Sequence, residues 1–210
     1  ISGATGDDLQ QLEDRARELG ATTSKSASEA ADGLGYMALA GWETEEMLQG
    51  IEPVLRLSEA GNIDLARASD LATDSMSALQ IEAKDLPAYL DNVAEASRNS
   101  NTSVDALMDA YITAGGNLSE FNVPLEESTA ILGLLANRGL KGSEAGRALN
   151  AIMVNLTSGA GQAGKALEEL EISAFDADGE FIGLEETLRL VKDRTKDMTD
   201  EQKAQYISMI

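Results

Sequence analysis

Between Ser128 and Gly164 the only charges are Arg138, Lys141, Glu144 and Arg147, in a chain whose net charge is −21. A stretch this poor in charge has to be buried. Its Leu, Ile, Met and Ala recur at three- and four-residue spacing, which is the period of a helix and not of a strand. Pro124 begins the first apolar helix, Leu125 to Asn137, and Gly139 closes it; Ser143 opens the second, Glu144 to Leu156. Two apolar helices joined by a short glycine-bracketed turn fold back as an αα-hairpin over 124–157, and this hairpin is expected at the centre of the core. Gly139 and Gly142 permit the reversal, and Ser143 is placed to accept from the first free amides. Ala145, Gly146 and Ala148 are small enough to let the helix approach a neighbour closely.

Helical period continues through most of the chain, divided by start and stop residues. Leu9, Leu12, Ala16 and Leu19 share one face of a helix from Asp7 that Gly20 ends. Ser26 and Glu29 make a capping box for a helix reaching about Ala40, with Gly41 as its left-handed stop. Thr44 opens the next, which Pro53 should bend or break because it has no N–H to donate. Asn62 is expected to cap a helix through Leu79. Asp85 starts one with Pro87 in its first turn, and Thr102 caps another that Gly115-Gly116-Asn117 breaks. A short helix is expected from Lys165 to Leu170, then Leu184 to about Lys196, then a last helix capped by Thr199 and Gln202. Between them, Ile172 to Phe175 and Glu180 to Ile182 flank Asp176-Ala177-Asp178-Gly179, a hairpin signal with an Asp-Gly turn. The fold class expected is therefore all-α: a multi-helix domain around the central hairpin, with one small β-hairpin near residues 172–183. Residues 1–164 would form the helical core region, and 165–210 would pack on the same unit. A weak echo relates Gly41–Leu79 to Gly116–Leu156, each running turn, Glu-Glu helix, Gly and Ala-rich helix.

Sixteen basic against 37 acidic residues disfavour sequence-independent nucleic-acid binding and contact with anionic membranes. There is no Cys and no His, which removes disulfides, thiol nucleophiles, Ser-His-Asp hydrolysis and Cys- or His-ligated metals. No apolar run approaches the roughly 20 residues of a membrane span. Ile1-Ser2-Gly3 has neither a basic region nor an apolar run, so no signal peptide is expected. The missing Met there and a final helix unfinished at Ile210 point to a segment of something longer.

Four constellations call for weighing. Gly159-Ala160-Gly161-Gln162-Ala163-Gly164 matches the dinucleotide pattern GxGxxG, but a helix precedes it where a strand is required, so an interhelical loop is expected. Ala174 to Glu185 approaches a calcium loop, with Asp176, Asp178, Gly179 and Glu185 in ligand or turn positions. Ala174 stands where the first carboxylate belongs, so a solvated turn is expected and no metal or cofactor. The neighbours in Glu45-Glu46, Glu126-Glu127, Glu168-Glu169 and Glu185-Glu186 diverge by about 100° on a helix; most sit near helix starts, and capping and solubility suit them better than a hydrolase dyad. Trp42 would either cover an end of the core or serve as a partner contact.

The stretch Ile131 to Leu149 resembles the core region of phage tail tape measure proteins. An apolar helix end there is followed by G-S-x-A-G-x-x-L, here Gly142, Ser143, Ala145, Gly146 and Leu149. Leu65 to Asp74 resembles an upstream stretch of the family, and Leu170-Glu171-Ile172, Asp178-Gly179 and the helix from Leu184 its continuation. The likeness runs from about Leu19, and Trp42 and Pro53 have no counterpart in it. It implies a structural, non-enzymatic role in tail assembly and tail-length determination of a phage or prophage. It further implies a place in the virion tail lumen, reached from the host cytoplasm during assembly. Tail tube, tail assembly chaperones and initiator complex would be the partners. The alternative is an acidic helical protein-interaction module unrelated to phage tails. A carboxylate-based hydrolase would need two acidic side chains converging in a cleft.

Overall fold

Helices α1 (Asp7–Thr22), α3 (Thr44–Gly61), α5 (Leu86–Asn99) and α7 (Leu125–Asn137) lie side by side in one layer. In the second layer lie α2 (Ala27–Leu39), α4 (Leu65–Leu79), α6 (Val104–Glu120) and α8 (Gly142–Thr157). The computed structural model describes residues 6–210, so Ile1-Ser2-Gly3 lie outside the described residues. Each helix packs on its predecessor and on the helix two places before it, which makes four helical hairpins stacked in a row. The second-layer helices start at Ala27, Leu65, Val104 and Gly142, a repeat of roughly 38 residues. The two segments related by the sequence echo supply α3–α4 and α7–α8, which occupy equivalent places on either side of α5–α6.

One turn chemistry recurs. Gly41, Asn62, Gln80, Asn122, Gly139 and Glu171 all have positive φ, between 48° and 95°. Each is followed by an apolar residue: Trp42, Ile63, Ile81, Val123, Leu140 or Ile172. The N–H of that residue returns to a carbonyl five positions earlier, as in Trp42 to Met37 and Val123 to Leu118. This is the Schellman stop, which satisfies an orphan carbonyl and tucks an apolar side chain under the helix end. Starts are capped in turn. Ser26 and Glu29 form a capping box, and so do Thr199 and Gln202. Asp64 accepts from the Ala66 amide and Ser103 from the Ala106 amide, each cap stabilising by about 1 kcal/mol.

Several local expectations give way to tertiary packing. Asn62 stops α3 instead of capping α4, Ser103 takes the place expected of Thr102, and Gly20 lies within α1. Pro53 sits inside an unbroken α3, whose Met47, Ile51, Val54, Leu55 and Leu57 are all buried. That burial outweighs one missing hydrogen bond. Helix α6 runs straight through Gly115-Gly116-Asn117. A Cβ on Gly115 would stand 2.7–2.8 Å from Ala78 Cβ and its backbone carbonyl, so the glycine is there for close approach of α4. Gly116 faces open space, and the Asn117 side chain donates to Asn150 Oδ1 on α8 at 3.0 Å. The central element is consequently α6, flanked by α4 and α8; α7 packs more on α5 than on its hairpin partner α8.

Helices α9 (Gly161–Glu169), α10 (Leu184–Thr195) and α11 (Asp200–Met209) complete the chain, α9 beginning earlier than the expected Lys165. It packs against α8, and α11 packs against α9. The β-hairpin expected near 172–183 is absent: among the described residues there is no strand, only one isolated antiparallel bridge, Phe175 with Phe181. The Asp176 carboxylate accepts from the amides of Asp178 and Glu180, both at 2.9 Å, and winds the segment into a tight turn too short for a ladder. Phe175 and Phe181 instead stack on Phe121 at the end of α6, with ring centroids 6.3 and 5.5 Å away.

Candidate functional site

The motif that singled out the α7–α8 turn splits into backbone and packing roles. Gly139 (φ 95°) ends α7 and Gly142 (φ 57°) begins α8 in the left-handed region, where a side chain would be strained. Ser143 is exposed, and α8 starts from Lys141 without a side-chain cap, so the serine does not perform the capping expected of it. Ala145, Gly146 and Leu149 are buried, and the surface they meet belongs to α6. A Cβ on Gly146 would stand 2.5 Å from the Ala110 carbonyl oxygen and 2.6 Å from Thr113 Cβ. Asn150, one residue beyond Leu149, donates to the Thr113 carbonyl at 2.9 Å. The motif therefore docks α8 onto α6.

Trp42 belongs to the core and is not an exposed anchor. It is 8% exposed, its Nε1–H donates to Thr73 Oγ1 at 2.9 Å, and its ring covers Gly50, where any side chain would collide with it. Three of the acidic pairs sit at helix starts, while Glu168-Glu169 ends α9, where Glu169 accepts from the Tyr206 hydroxyl at 3.2 Å. Glu46 accepts from the Glu43 amide at 2.8 Å; Glu127 accepts from the Glu185 amide and thereby ties α7 to α10; Glu186 pairs with Arg189. In the glycine pattern, Gly164 sits against the Gly159 backbone at a distance that excludes a Cβ, and the segment runs helix, turn, helix. No nucleotide-binding strand precedes it.

A buried hydroxyl network joins the two layers, and the sequence reading missed it. Tyr89 of α5 donates to Ser75 Oγ of α4 at 3.0 Å. Tyr111 of α6 reaches the opposite way, to the Leu125 carbonyl at 3.3 Å and to the hydroxyls of Ser128 and Thr129 on α7. The two rings meet edge to face with centroids 5.5 Å apart. Burial pushes both phenols up, Tyr111 to about 12. Both tyrosines sit at helical spacing from apolar residues, Leu86 and Val93 for the first, Leu107 and Met108 for the second. A tyrosine on a buried helical face that must find a partner for its hydroxyl was the available signal. The network ties α4, α5, α6 and α7 to one another.

Ion pairs across neighbouring helices repeat the layer plan. Arg15 of α1 reaches Glu52 of α3 at 2.7 Å, and Arg67 of α4 reaches Asp105 and Asp109 of α6, both at 2.7 Å. Arg56, then Arg15, holds the Glu52 carboxyl below the usual carboxylate range. No helix among the described residues is long and apolar enough to cross a membrane.

Residues 13–210 match the model of the family described as phage-related minor tail protein. The chain is similar to the tape measure protein of Pneumococcus phage Dp-1, 30% identical over 207 residues, which cover 99% of this chain and 18% of that protein. It is similar as well to the probable tape measure protein of Escherichia phage P2, 27% identical over 173 residues, covering 82% of the chain and 21% of that protein. The chain thus spans about a fifth of the length of these curated relatives. No solved structure matches it.

Proposed function

The chain belongs to the phage-related minor tail protein family, and we propose that it acts there as a folded, non-catalytic structural module of a tape measure protein. The family expected from Gly142, Ser143, Ala145, Gly146 and Leu149 is the one matched, and the reading as an interaction module unrelated to phage tails has no support. The observation that carries the proposal is the similarity to the Dp-1 tape measure protein along 99% of the chain. The protein works in the virion tail, is assembled in the host cytoplasm, and meets tail tube, chaperone or initiator proteins through this module.

Length is not measured here. Even as one helix, 210 residues would reach only about 300 Å at 1.5 Å per residue. Stacked hairpins with neighbouring axes about 10 Å apart reach far less. The ruler lies in the remaining four-fifths of a relative-sized chain, and this module holds a fixed place relative to it. The net charge of −21 keeps the module from adhering to DNA sharing the same tube.

The test is genetic. In a phage carrying this chain, in-frame deletion of a helical stretch elsewhere in the parent protein should shorten tails in proportion, as measured by electron microscopy. Disrupting this module with Gly146→Trp should lower the number of tails without changing the length of those that form. Tails of normal length after the deletion would end the ruler assignment. Tails shortened by Gly146→Trp would end the division of labour.

A further inference from the structure

Between α5 and α7 the surface of the first layer opens into a groove of about 500 Å³. Its lining combines small residues, Ala96, Ala130 and Gly133, with the carboxamides of Asn92, Asn99 and Asn137. A Cβ on Gly133 would stand 2.6 Å from Ser100 Oγ, so the glycine keeps room for that hydroxyl. Only Glu95 and Glu126 bring charge to the lining. None of the lining side chains is aromatic, so a sugar ring would find no platform to stack on.

Three donors stand beside successive turns of α7 there. The Asn92 carboxamide oxygen accepts from Thr129 Oγ1 at 2.7 Å, which fixes the group and leaves its NH2 unspent. The Asn137 oxygen accepts from the Asn101 amide at 2.9 Å, with the same result. Ser100 Oγ, beside Gly133, makes no hydrogen bond among the described residues. Thr129, Gly133 and Asn137 follow one another at one-turn intervals, so the donors are spaced by about 6 Å along α7. An extended chain shows a carbonyl to the same side at every second residue, about 6.7 Å apart. A helix has spent its carbonyls internally and would leave these donors unmatched. Charge is graded along the same line. Glu126 forms no ion pair at the start of α7, while at the other end Lys141 Nζ meets Asn101 Oδ1 at 3.1 Å, next to Asn137.

We propose that the α5–α7 groove docks an extended segment of another protein, whose backbone carbonyls accept from Asn92, Ser100 and Asn137. A basic residue of that segment lies towards Glu126 and an acidic one towards Lys141. Because the donors meet main chain, recognition tolerates many sequences between those two charges. The inference rests on the groove alone and stands or falls apart from the tail role.

The test uses the chain as it is and a fluorescent peptide of about eight residues, with lysine near one end, glutamate near the other and alanine, serine and threonine between. Binding is followed by anisotropy at physiological salt. Asn137→Asp keeps the acceptor for the Asn101 amide but removes the NH2 donor, and should weaken binding about fivefold or more. Gln11→Glu, exposed on α1, makes the same change in net charge and should alter binding by less than about twofold. Ala130→Trp, which fills the groove from the exposed side of α7, should weaken it about tenfold or more. Circular dichroism checks each fold, and Asn99→Trp, from the other wall, replaces Ala130→Trp if that variant unfolds. Transferred nuclear Overhauser contacts in the bound peptide should be the sequential Hα–HN kind of an extended chain. Equal weakening by Asn137→Asp and Gln11→Glu would reduce the effect to bulk charge and overturn the proposal. Undiminished binding by the filled groove, helical HN–HN contacts in the bound peptide, or no saturation by about 5 mM peptide would do the same. Sedimentation showing a dimer of the chain that Ala130→Trp dissolves would give the groove to a second copy and overturn the assigned occupant.

Discussion

The contacts of α6 with its two second-layer neighbours and the contact of α3 with α5 in the first layer are built by opposite means. In the second layer, glycines stand where helices meet: Gly115 of α6 against Ala78 of α4, and Gly146 of α8 against Ala110 and Thr113 of α6. With no Cβ in the way the helices close up, and the contacts of α6 with α4 and α8 are the most extensive in the molecule. In the first layer no glycine separates α3 from α5; prolines and alanines flank Leu57 and Leu90, and a groove remains. The close contacts around α6 set the shape of the stack, and the looser meeting of α3 with α5 leaves a groove at its surface.

The firmest way to break that comparison is to add a methyl group to the close layer. Gly115→Ala and Gly146→Ala each force a Cβ to within 2.5–2.8 Å of backbone atoms of the neighbouring helix. Each should destabilise by about 2–3 kcal/mol, and the double variant by about twice that, in urea unfolding. Gly116→Ala is the control one residue away. Its Cβ meets nothing within 4 Å, so it should stabilise by roughly 0.5–1 kcal/mol through helix propensity alone. Were all three to behave alike, close approach would not be what these glycines are for.

This pair also marks where sequence reading ends. Gly115 and Gly116 look the same along the chain, and together with Asn117 they predict a helix break; only the presence of Ala78 across the gap distinguishes them. Gly41 and Gly139 were readable as stops because a glycine after an apolar run has one common use. Asn62, Gln80, Asn122 and Glu171 do the same work unnoticed, since what holds them at positive φ is the apolar residue that follows and its place in the core. The hairpin motif was legible as a set of residues but not as a contact. Periodicity defines the buried face of α8 without saying which helix covers it, and α6 does so more than α7. The expected β-hairpin failed for a related reason: alternation over three or four residues on each side of an Asp-Gly turn did not reveal that the pairing, with the Asp176 amide on the Glu180 carbonyl and the Ile182 amide on the Ala174 carbonyl, would stop at the one bridge of Phe175 with Phe181.

A second test addresses what joins the layers. Tyr89 reaches from the first layer to the second, and Tyr111 from the second to the first. Burial keeps both phenols neutral, with a pKa raised above the ordinary 10.0, Tyr111 to about 12. The unfolded chain therefore ionises first. The stabilisation is complete below about pH 10 and is lost as the pH rises towards 12, at up to about 1.4 kcal/mol per unit for each tyrosine. For Tyr111 this amounts to roughly 2–3 kcal/mol by pH 12. Urea titrations from pH 8 to 12 should show that slope, and Tyr89→Phe/Tyr111→Phe should flatten it while losing about 1 kcal/mol per hydroxyl at pH 8. An unchanged slope in the double variant would mean that the seam between the layers owes its strength to apolar packing alone.

A further small effect is expected in the first layer. Pro53 withholds one hydrogen bond from α3, yet the helix continues because its other face is buried. Pro53→Ala returns an N–H to the Gln49 carbonyl and should raise stability by about 1 kcal/mol in the same assay. On α6 a residue with such a cost would have less outlet, because α4 and α8 pack against it from two sides. In the open layer the ring is half exposed on the groove wall, and the carbonyl it frees faces a space that water or a donor can enter. Unchanged stability would mean that water already satisfies the freed carbonyl. A gain would make the proline a tolerated irregularity, carried by the buried face of α3.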